Sequence, residues 1–256
     1  MQNIKSVLTT SIIIVSLIIP LIGICLLYDP NIKFEITNYI ISITIFTIYQ
    51  SFLSALISLI IGSIFAYYLK KNSEIGIIKL IVNILSILFV MPTIIIVLGM
   101  LTFFNSFTNI YGPFGIVFCH VILNLPLATR IIYQSLNDIS GNEYILAEQM
   151  GLKKFETFLA TEWQIIKRNT PSLFALIFFI CFVSFTPVLI LGGSPKYSTI
   201  EVSIYQSVVF LNNYNTAFYL LILQLLICSI ICFLTFKNFK SENFFLDDRK
   251  IHIKNE

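Results

Sequence analysis

The sequence predicts an all-α membrane protein with six transmembrane helices, and three observations carry that prediction. Hydrophobic residues make up 57% of the 256 and charged residues only 11%, more apolar surface than a water-soluble domain can hide. The charges fall in clumps, so residues 6–28, 36–69, 80–129, 169–195 and 202–236 hold no Asp, Glu, Lys or Arg. These runs are long and continuous, whereas barrel strands would be short and alternating.

A span needs about 20 apolar residues at a rise of 1.5 Å each. The first block supplies a helix over 7–28. Lys5 ahead of an apolar run resembles a signal peptide, but the run is too long and no small-x-small cleavage site follows, so a retained helix is expected. The second block supplies 40–69, long enough to tilt or to extend beyond the bilayer. The third holds two spans, 78–103 and 114–136, split by "NSFTNIYGP" at 105–113. The fourth gives 171–191, and the fifth gives 216–236 after the polar break "NNYN" at 212–215. Residues 1–38 then form the first helix and outer loop, 39–236 a core of five spans with a loop at 137–170, and 237–256 a tail. Cys25, Cys119, Cys181, Cys228 and Cys232 all lie inside spans without metal or redox spacing, which reads as ordinary packing.

Orientation follows from Lys and Arg on alternate sides of six helices. With the N-terminus cytoplasmic, 14 of the 16 basic residues fall inside, and only Lys33 and Lys196 fall outside. Both termini are therefore expected in the cytoplasm, with 137–170 as the largest cytoplasmic loop. The net charge of +3 reflects this topology and implies no nucleic-acid partner.

That loop is unusual for so apolar a chain. "GNEYILAEQMGLKKFETFLATEW" at 141–163 mixes Glu143, Glu148, Glu156 and Glu162 with Lys153 and Lys154, just after Asp138. Ser140 or Asn142 can cap a helix start, Glu143 suits the positive end of its dipole, and Gly151 suits a left-handed C-terminal turn. A second helix is expected from about Lys153 to the boundary before Pro171. Ala147, Gly151, Phe155 and Phe158 recur at spacings of four, four and three, which would align them on an unbroken helix. Such a surface fits a groove on a partner protein. The competing reading is an amphipathic hairpin lying on lipid headgroups, against which stand acidic residues that gain nothing from an anionic leaflet.

This segment resembles the loop of bacterial ABC importer permeases, whose pattern is Glu-Ala-Ala, three residues, Gly, nine residues, then Ile-x-Leu-Pro. Aligned on Gly151, the first triplet is Ile145, Leu146 and Ala147, and the last four positions are Thr161, Glu162, Trp163 and Gln164. The flanks "YGPFGIVFCHVILNLPLATRIIYQSL" (111–136) and "SFTPVLILGGSPKYSTIEVSIYQ" (184–206) are similar, in order and spacing, to the first half of the thiamine ABC transporter permeases, from about residue 40 to 236. The turn "LGGSPKYSTIE" is also shared by ferric-iron permeases. The resemblance implies the type I importer (MetI-like) fold in a bacterial inner membrane, with Glu143, Ala147, Glu148, Gly151, Phe155 and Phe158 coupling the chain to an ABC ATPase dimer. It implies a periplasmic or extracellular substrate-binding protein as a further partner. This chain binds no cofactor of its own on that reading; ATP and Mg belong to the partner ATPase, and no G-x-x-x-x-G-K-[ST] segment is present. Thiamine permeases of this group usually carry two such halves in one chain, so a homodimer or a pairing with a second permease half is expected.

Polar or helix-breaking residues inside spans are costly and usually face the bundle or a cavity. Here they are Asn83, Pro92, His120, Asn124, Pro126, Thr186, Pro187 and Gln224. His120 and Asn124, four apart, share a face. They either line a pathway or hold helices together by hydrogen bonds. Pro187 with Gly192 and Gly193 marks a bend or a span terminus at the outer end of the fifth helix, and Phe185, Tyr205 and Tyr219 either stack on a cationic ring or anchor the membrane interface. A membrane enzyme is disfavoured, because no carboxylate lies inside a predicted span and only one histidine does. A channel or scaffold would not need the patterned loop. The function expected is the permease subunit of an ATP-driven importer of thiamine or a phosphorylated thiamine, with ferric iron or another small solute as the alternative cargo.

Overall fold

The computed structural model describes Gly23 and residues 37–73, 75–104, 107 and 109–238. The expected first span, apart from Gly23, and all of the tail beyond residue 238 lie outside them. The described residues are helical, with no strand.

Helix α1 (Asn38–Lys71) starts where Thr37 accepts a hydrogen bond from the Ile40 N–H and ends at Lys70 and Lys71, whose charges suit the negative end of a helix. It is the spine of the bundle. Its inner face carries Thr47, Ser51, Ser54, Ala55, Ser58, Gly62 and Ala66, and all are buried. Three of the buried hydroxyls are satisfied within the helix, Thr47 donating to Ile43 O, Ser51 to Thr47 O and Ser58 to Ser54 O, while Ser54 Oγ is buried without a partner. Small residues every fourth position let a second helix come close, and that helix is α4 (Pro113–Asn137). A Cβ on Gly62 would lie 2.6 Å from Ala128 Cβ and 3.2 Å from the Thr129 backbone nitrogen. Only glycine admits that approach.

The expected straight span over 78–103 is two helices instead, α2 (Gly76–Val90) and α3 (Thr93–Phe104), bent by 102° at the break. The cause is Pro92. The residue before a proline is pushed out of the helical region, and Met91 is extended at φ −62°, ψ 139°.

Beyond α4 come α5 (Gly141–Gln149), α6 (Lys154–Ala160) and α7 (Glu162–Phe182). Pro171 was expected to end a helix, yet α7 runs through it. Ile166, Asn169, Leu173, Ile177, Phe178 and Cys181 bury one face across the proline, so tertiary packing outweighs its local penalty. The fifth span consequently starts at 162 rather than 171 and stops at 182. Its expected outer part separates as α8 (Thr186–Leu191). The chain then turns back through α9 (Ile200–Val209) before α10 (Tyr214–Asn238). The sequence reading missed α9, since a ten-residue helix that lies beyond Glu201 wholly in the charge-free run 202–236 has no signature separating it from the next span.

Among the described residues four helical stretches are long and apolar enough to cross a membrane: α1, α4, the joined α6–α7 run Lys154–Phe182, and α10 over Tyr214–Phe233; the bent α2–α3 pair makes a fifth if counted as one span. The chain is a multi-pass membrane protein. One core cluster joins α1, α4, α7, α9 and α10 around Leu59, Ile132, Ile177, Phe182, Ile200 and Leu220. A second joins α3, α4, α8 and α9 around Val97, Ile116, Val188, Leu191 and Val202. Large apolar side chains such as Ile45, Ile64 and Ile87 lie exposed outside these cores, as a lipid-facing surface requires.

Candidate coupling hairpin and bundle interior

The polar loop is a folded hairpin fixed at both ends. Leu136 and Ile139 tuck into the main core at the end of α4. Ser140 precedes α5 and its carbonyl accepts the Glu143 N–H at 3.1 Å, without a side-chain cap bond. After α5 the Gly151 N–H donates to Glu148 O and the Leu152 N–H to Ala147 O, at 2.9 and 3.1 Å. That pair of bonds is a Schellman closure, and it needs a left-handed residue at the glycine. Gly151 has φ +70°. A Cβ there would meet nothing within 4 Å, so conformation alone demands the glycine.

Helix α6 then starts with the Lys153 N–H donating to Glu156 Oε2 at 2.7 Å. Two contacts bolt the hairpin down. The Tyr144 hydroxyl of α5 donates to Glu162 Oε1 of α7 at 3.1 Å, and Phe158 of α6 meets Tyr67 of α1 edge-on with ring centroids 5.1 Å apart. Burial, reinforced by the Glu162 carboxylate, pushes the Tyr144 phenol up to about 12, so it remains a donor at any physiological pH.

Of the residues singled out from sequence, Glu143, Glu148, Gly151 and Phe155 face outward, Phe158 is half-buried on Tyr67, and Ala147 is buried. Ala147 therefore does not share an outer face with Phe155, because the chain breaks between the two helices. What the sequence reading did not single out is an apolar surface beside them: Ile145, Leu146 and Met150, the last 76% exposed, with Phe155 at 69%. Apolar side chains standing out of an otherwise polar hairpin were the available signal.

Within the bundle, His120 and Asn124 are both buried, on one face of α4. His120 Nε2 lies 2.8 Å from Ser184 Oγ. Asn124 Nδ2 donates to His120 O at 2.8 Å and to Cys181 Sγ at 3.3 Å. Gln50 of α1, unnoticed in the sequence, donates to Cys181 O at 3.0 Å and to Ser51 Oγ at 2.8 Å. These polar groups knot α1, α4 and α7 together, while Gln50 Oε1 and His120 Nδ1 are buried without a hydrogen-bond partner. Pro126, buried on the same helix, deprives the carbonyl four residues earlier of its helical donor.

Near the other end of the bundle, the expected bend at Pro187 falls earlier, over 183–185. Thr186 and Pro187 occupy the first turn of α8, where a proline costs no hydrogen bond. Phe185 is half-buried and stacks edge-on against Tyr205 at 5.0 Å. Gly192 is required for space, since a Cβ would sit 2.3 Å from Tyr197 O; Gly193 is required for its φ of +58°. Asn83 is exposed. Gln224 on α10 is 8% exposed and donates to Glu201 Oε2 at 2.7 Å. The sequence places Glu201 outside every predicted span, but folding brings its carboxylate level with the interior of α10.

No protein-family model matches the chain. It is 31% identical over 213 residues to the thiamine transport system permease protein of Haemophilus influenzae, an alignment covering 77% of this chain and 39% of that protein. To the corresponding protein of Escherichia coli it is 33% identical over 207 residues, 75% of this chain and 38% of the relative. The chain thus spans about two fifths of the length of these relatives. Among solved structures, that of a bacterial ABC transporter involved in import of the polysaccharide alginate superposes with a TM-score of 0.73 at 14% identity, covering 94% of this chain and 99% of that one. The inward-facing MetNI methionine ABC transporter gives 0.67 at 13% identity, covering 79% and 97%.

Proposed function

From a chain that is homologous to the thiamine transport permeases over three quarters of its length and has the fold of solved ABC importer permeases, we infer the transmembrane subunit of an ATP-driven importer, with thiamine or a phosphorylated thiamine as its cargo. The subunit sits in a bacterial inner membrane with its termini in the cytoplasm. A separate ATPase dimer binds and hydrolyses ATP, a binding protein delivers cargo from outside, and a second permease half, identical or not, completes the pathway.

The observation that carries this reading is the bolted hairpin. Its outer surface presents Ile145, Leu146, Met150 and Phe155 beside Glu143 and Glu148, an apolar patch with a charged rim that suits a protein groove. Its inner side is fastened to α7 and α1 through Tyr144–Glu162 and Phe158–Tyr67. A nucleotide-driven movement of the groove would reach the spans through those two contacts. ATP shifts the bundle between inward- and outward-open states only to the extent that the docked hairpin is bound differently in each.

The test is to purify the full chain from native membranes in mild detergent and to cross-link from Met150→Cys. A cross-link to a nucleotide-hydrolysing subunit, together with thiamine uptake that disappears on deletion of the chain, is the expected result. A hairpin that cross-links only to lipid overturns the coupling role; intact uptake in a deletion strain with no second route overturns the cargo.

A further inference from the structure

We propose that Glu201, Tyr205 and Phe185 form a recognition point for an aromatic organic cation inside the membrane. The proposal rests on the permease reading and names the chemistry by which that permease would hold its cargo.

Depth comes first. The N–H of Ile200 donates to Thr47 Oγ1 at 3.1 Å, and Glu201 accepts from Gln224 Nε2 at 2.7 Å. Thr47 and Gln224 each lie about 14–15 Å along their helices from Asn38 and Tyr214, at 1.5 Å per residue. Helix α9 therefore starts well below the first residues of α1 and α10, level with positions inside the charge-free runs 36–69 and 202–236. A carboxylate at that depth is expensive and is ordinarily matched by a cation or a polar cavity. Among the described residues no Lys or Arg pairs with Glu201. Gln224 supplies one donor, and the first turn of α9, where Glu201 sits, supplies favourable dipole, but neither neutralises the charge.

Orientation comes second. The face of α9 bearing Ile200, Ser203 and Ser207 is buried, with Ser203 within hydrogen-bond reach of Tyr39 OH at 3.2 Å. Helical spacing puts Glu201, Tyr205 and Val209 on a different face. Glu201 and Tyr205 are only half-buried and Val209 is exposed. Gln224 borders this open face on the α10 side. On the α8 side Phe185 packs edge-on against Tyr205 at 5.0 Å, and Phe210 packs against Tyr205 at 5.8 Å.

Chemistry comes third. A half-buried carboxylate with aromatic rings one helical turn away is the combination that holds a delocalised ring cation: the carboxylate supplies the countercharge and the ring faces add cation–π attraction. A neutral solute would gain nothing from the charge. A metal ion held by protein ligands would need several of them together, and no group of three His, Cys, Asp or Glu comes together among the described residues. The thiazolium ring of thiamine is permanently cationic and satisfies both demands.

The experiment measures uptake of radiolabelled thiamine by the assembled transporter, with its ATPase and binding protein, in cells lacking any other thiamine route. Glu201→Gln keeps an oxygen that accepts from Gln224 and removes only the charge. It is expected to lower uptake at limiting thiamine by at least about tenfold in complexes that still assemble, while Glu201→Asp retains most of it. Tyr205→Leu leaves the Glu201–Gln224 bond in place and is expected to raise KM for thiamine about three- to tenfold with kcat retained. Wild-type uptake by Glu201→Gln overturns the recognition point and leaves the permease reading standing. If Glu201→Gln does not assemble, an unchanged KM in Tyr205→Leu overturns it instead. A wild-type complex that imports no thiamine removes the cargo assignment, and the recognition point falls with it.

Discussion

Gly62 and Gly151 look equivalent in the sequence and are constrained by opposite things. At Gly62 the limit is space: an added methyl would lie 2.6 Å from Ala128 Cβ, with backbone of the same helix at 3.2 Å, so α1 and α4 must separate. Gly62→Ala should destabilise the protein by about 1–3 kcal/mol, read as earlier thermal unfolding in detergent, and Ala128→Gly in the same chain should recover much of the loss. No recovery would mean that the two helices do not meet there. At Gly151 the limit is conformation, φ +70° with open space around it. Gly151→Ala should cost about 1–2 kcal/mol and Gly151→Asn less, because asparagine tolerates the left-handed region. Equal effects of the two would argue against a left-handed turn. The second constraint was legible, since a glycine after a capped, charged helix announces a C-terminal turn. The first was not, although Ser54, Ser58, Gly62 and Ala66 repeat every fourth residue, because a small residue in an apolar run does not say which helix will approach it.

Elements were legible where hydropathy alone decides and illegible where packing does. The spans over α1, α4 and α10 match the expected 40–69, 114–136 and 216–236 to within about two residues, the usual fraying of helix ends. Two prolines in spans behaved differently. Pro92 broke its helix and Pro171 did not, and the difference lies in the buried stripe that α7 carries across Pro171. The hairpin's existence was readable from its charges, yet its attachment was not: Tyr144 and Glu162 are 18 residues apart in sequence and meet only through the turn. Tyr144→Phe deletes one hydrogen bond to a half-buried carboxylate, worth about 1 kcal/mol. On the proposed function it should leave the assembled complex intact and lower the thiamine transported per ATP hydrolysed, because α5 can then shift without carrying α7. An unchanged transport-to-hydrolysis ratio would show that Phe158 on Tyr67 suffices. Tyr144→Phe should also remove a tyrosine ionisation near pH 12 from an alkaline titration. Since the folded state holds this proton more tightly than the unfolded chain does, its share of stability is complete below pH ~10, the ordinary phenol range, and declines above it toward about 12.

At the scale of the molecule, the two cores share α4 and α9, while the hairpin is fastened to α1 and α7, both members of the larger core. Packed interiors respond to force by switching arrangement as bodies and not by bending smoothly. A pull on the hairpin should therefore carry α1 and α7 with it, and the structural change should appear elsewhere: at the bent α2–α3 pair, which among the described residues contributes nothing to the larger core, and at the surface that, on the proposed pairing, a second permease half would cover. Spin labels at Glu148 on the hairpin and Lys167 on α7, both exposed, measure the first half of that statement within one chain. Their separation is expected to stay within about 2 Å, the scale of an ordinary helix shift, between nucleotide-free and ATP-trapped transporter. Labels at Glu148 and at exposed Leu98 on α3 are expected to change separation by more than that over the same cycle. A change confined to the first pair would mean that the hairpin swings as an independent flap, and the two fastening contacts would then be incidental to how nucleotide energy enters the bundle.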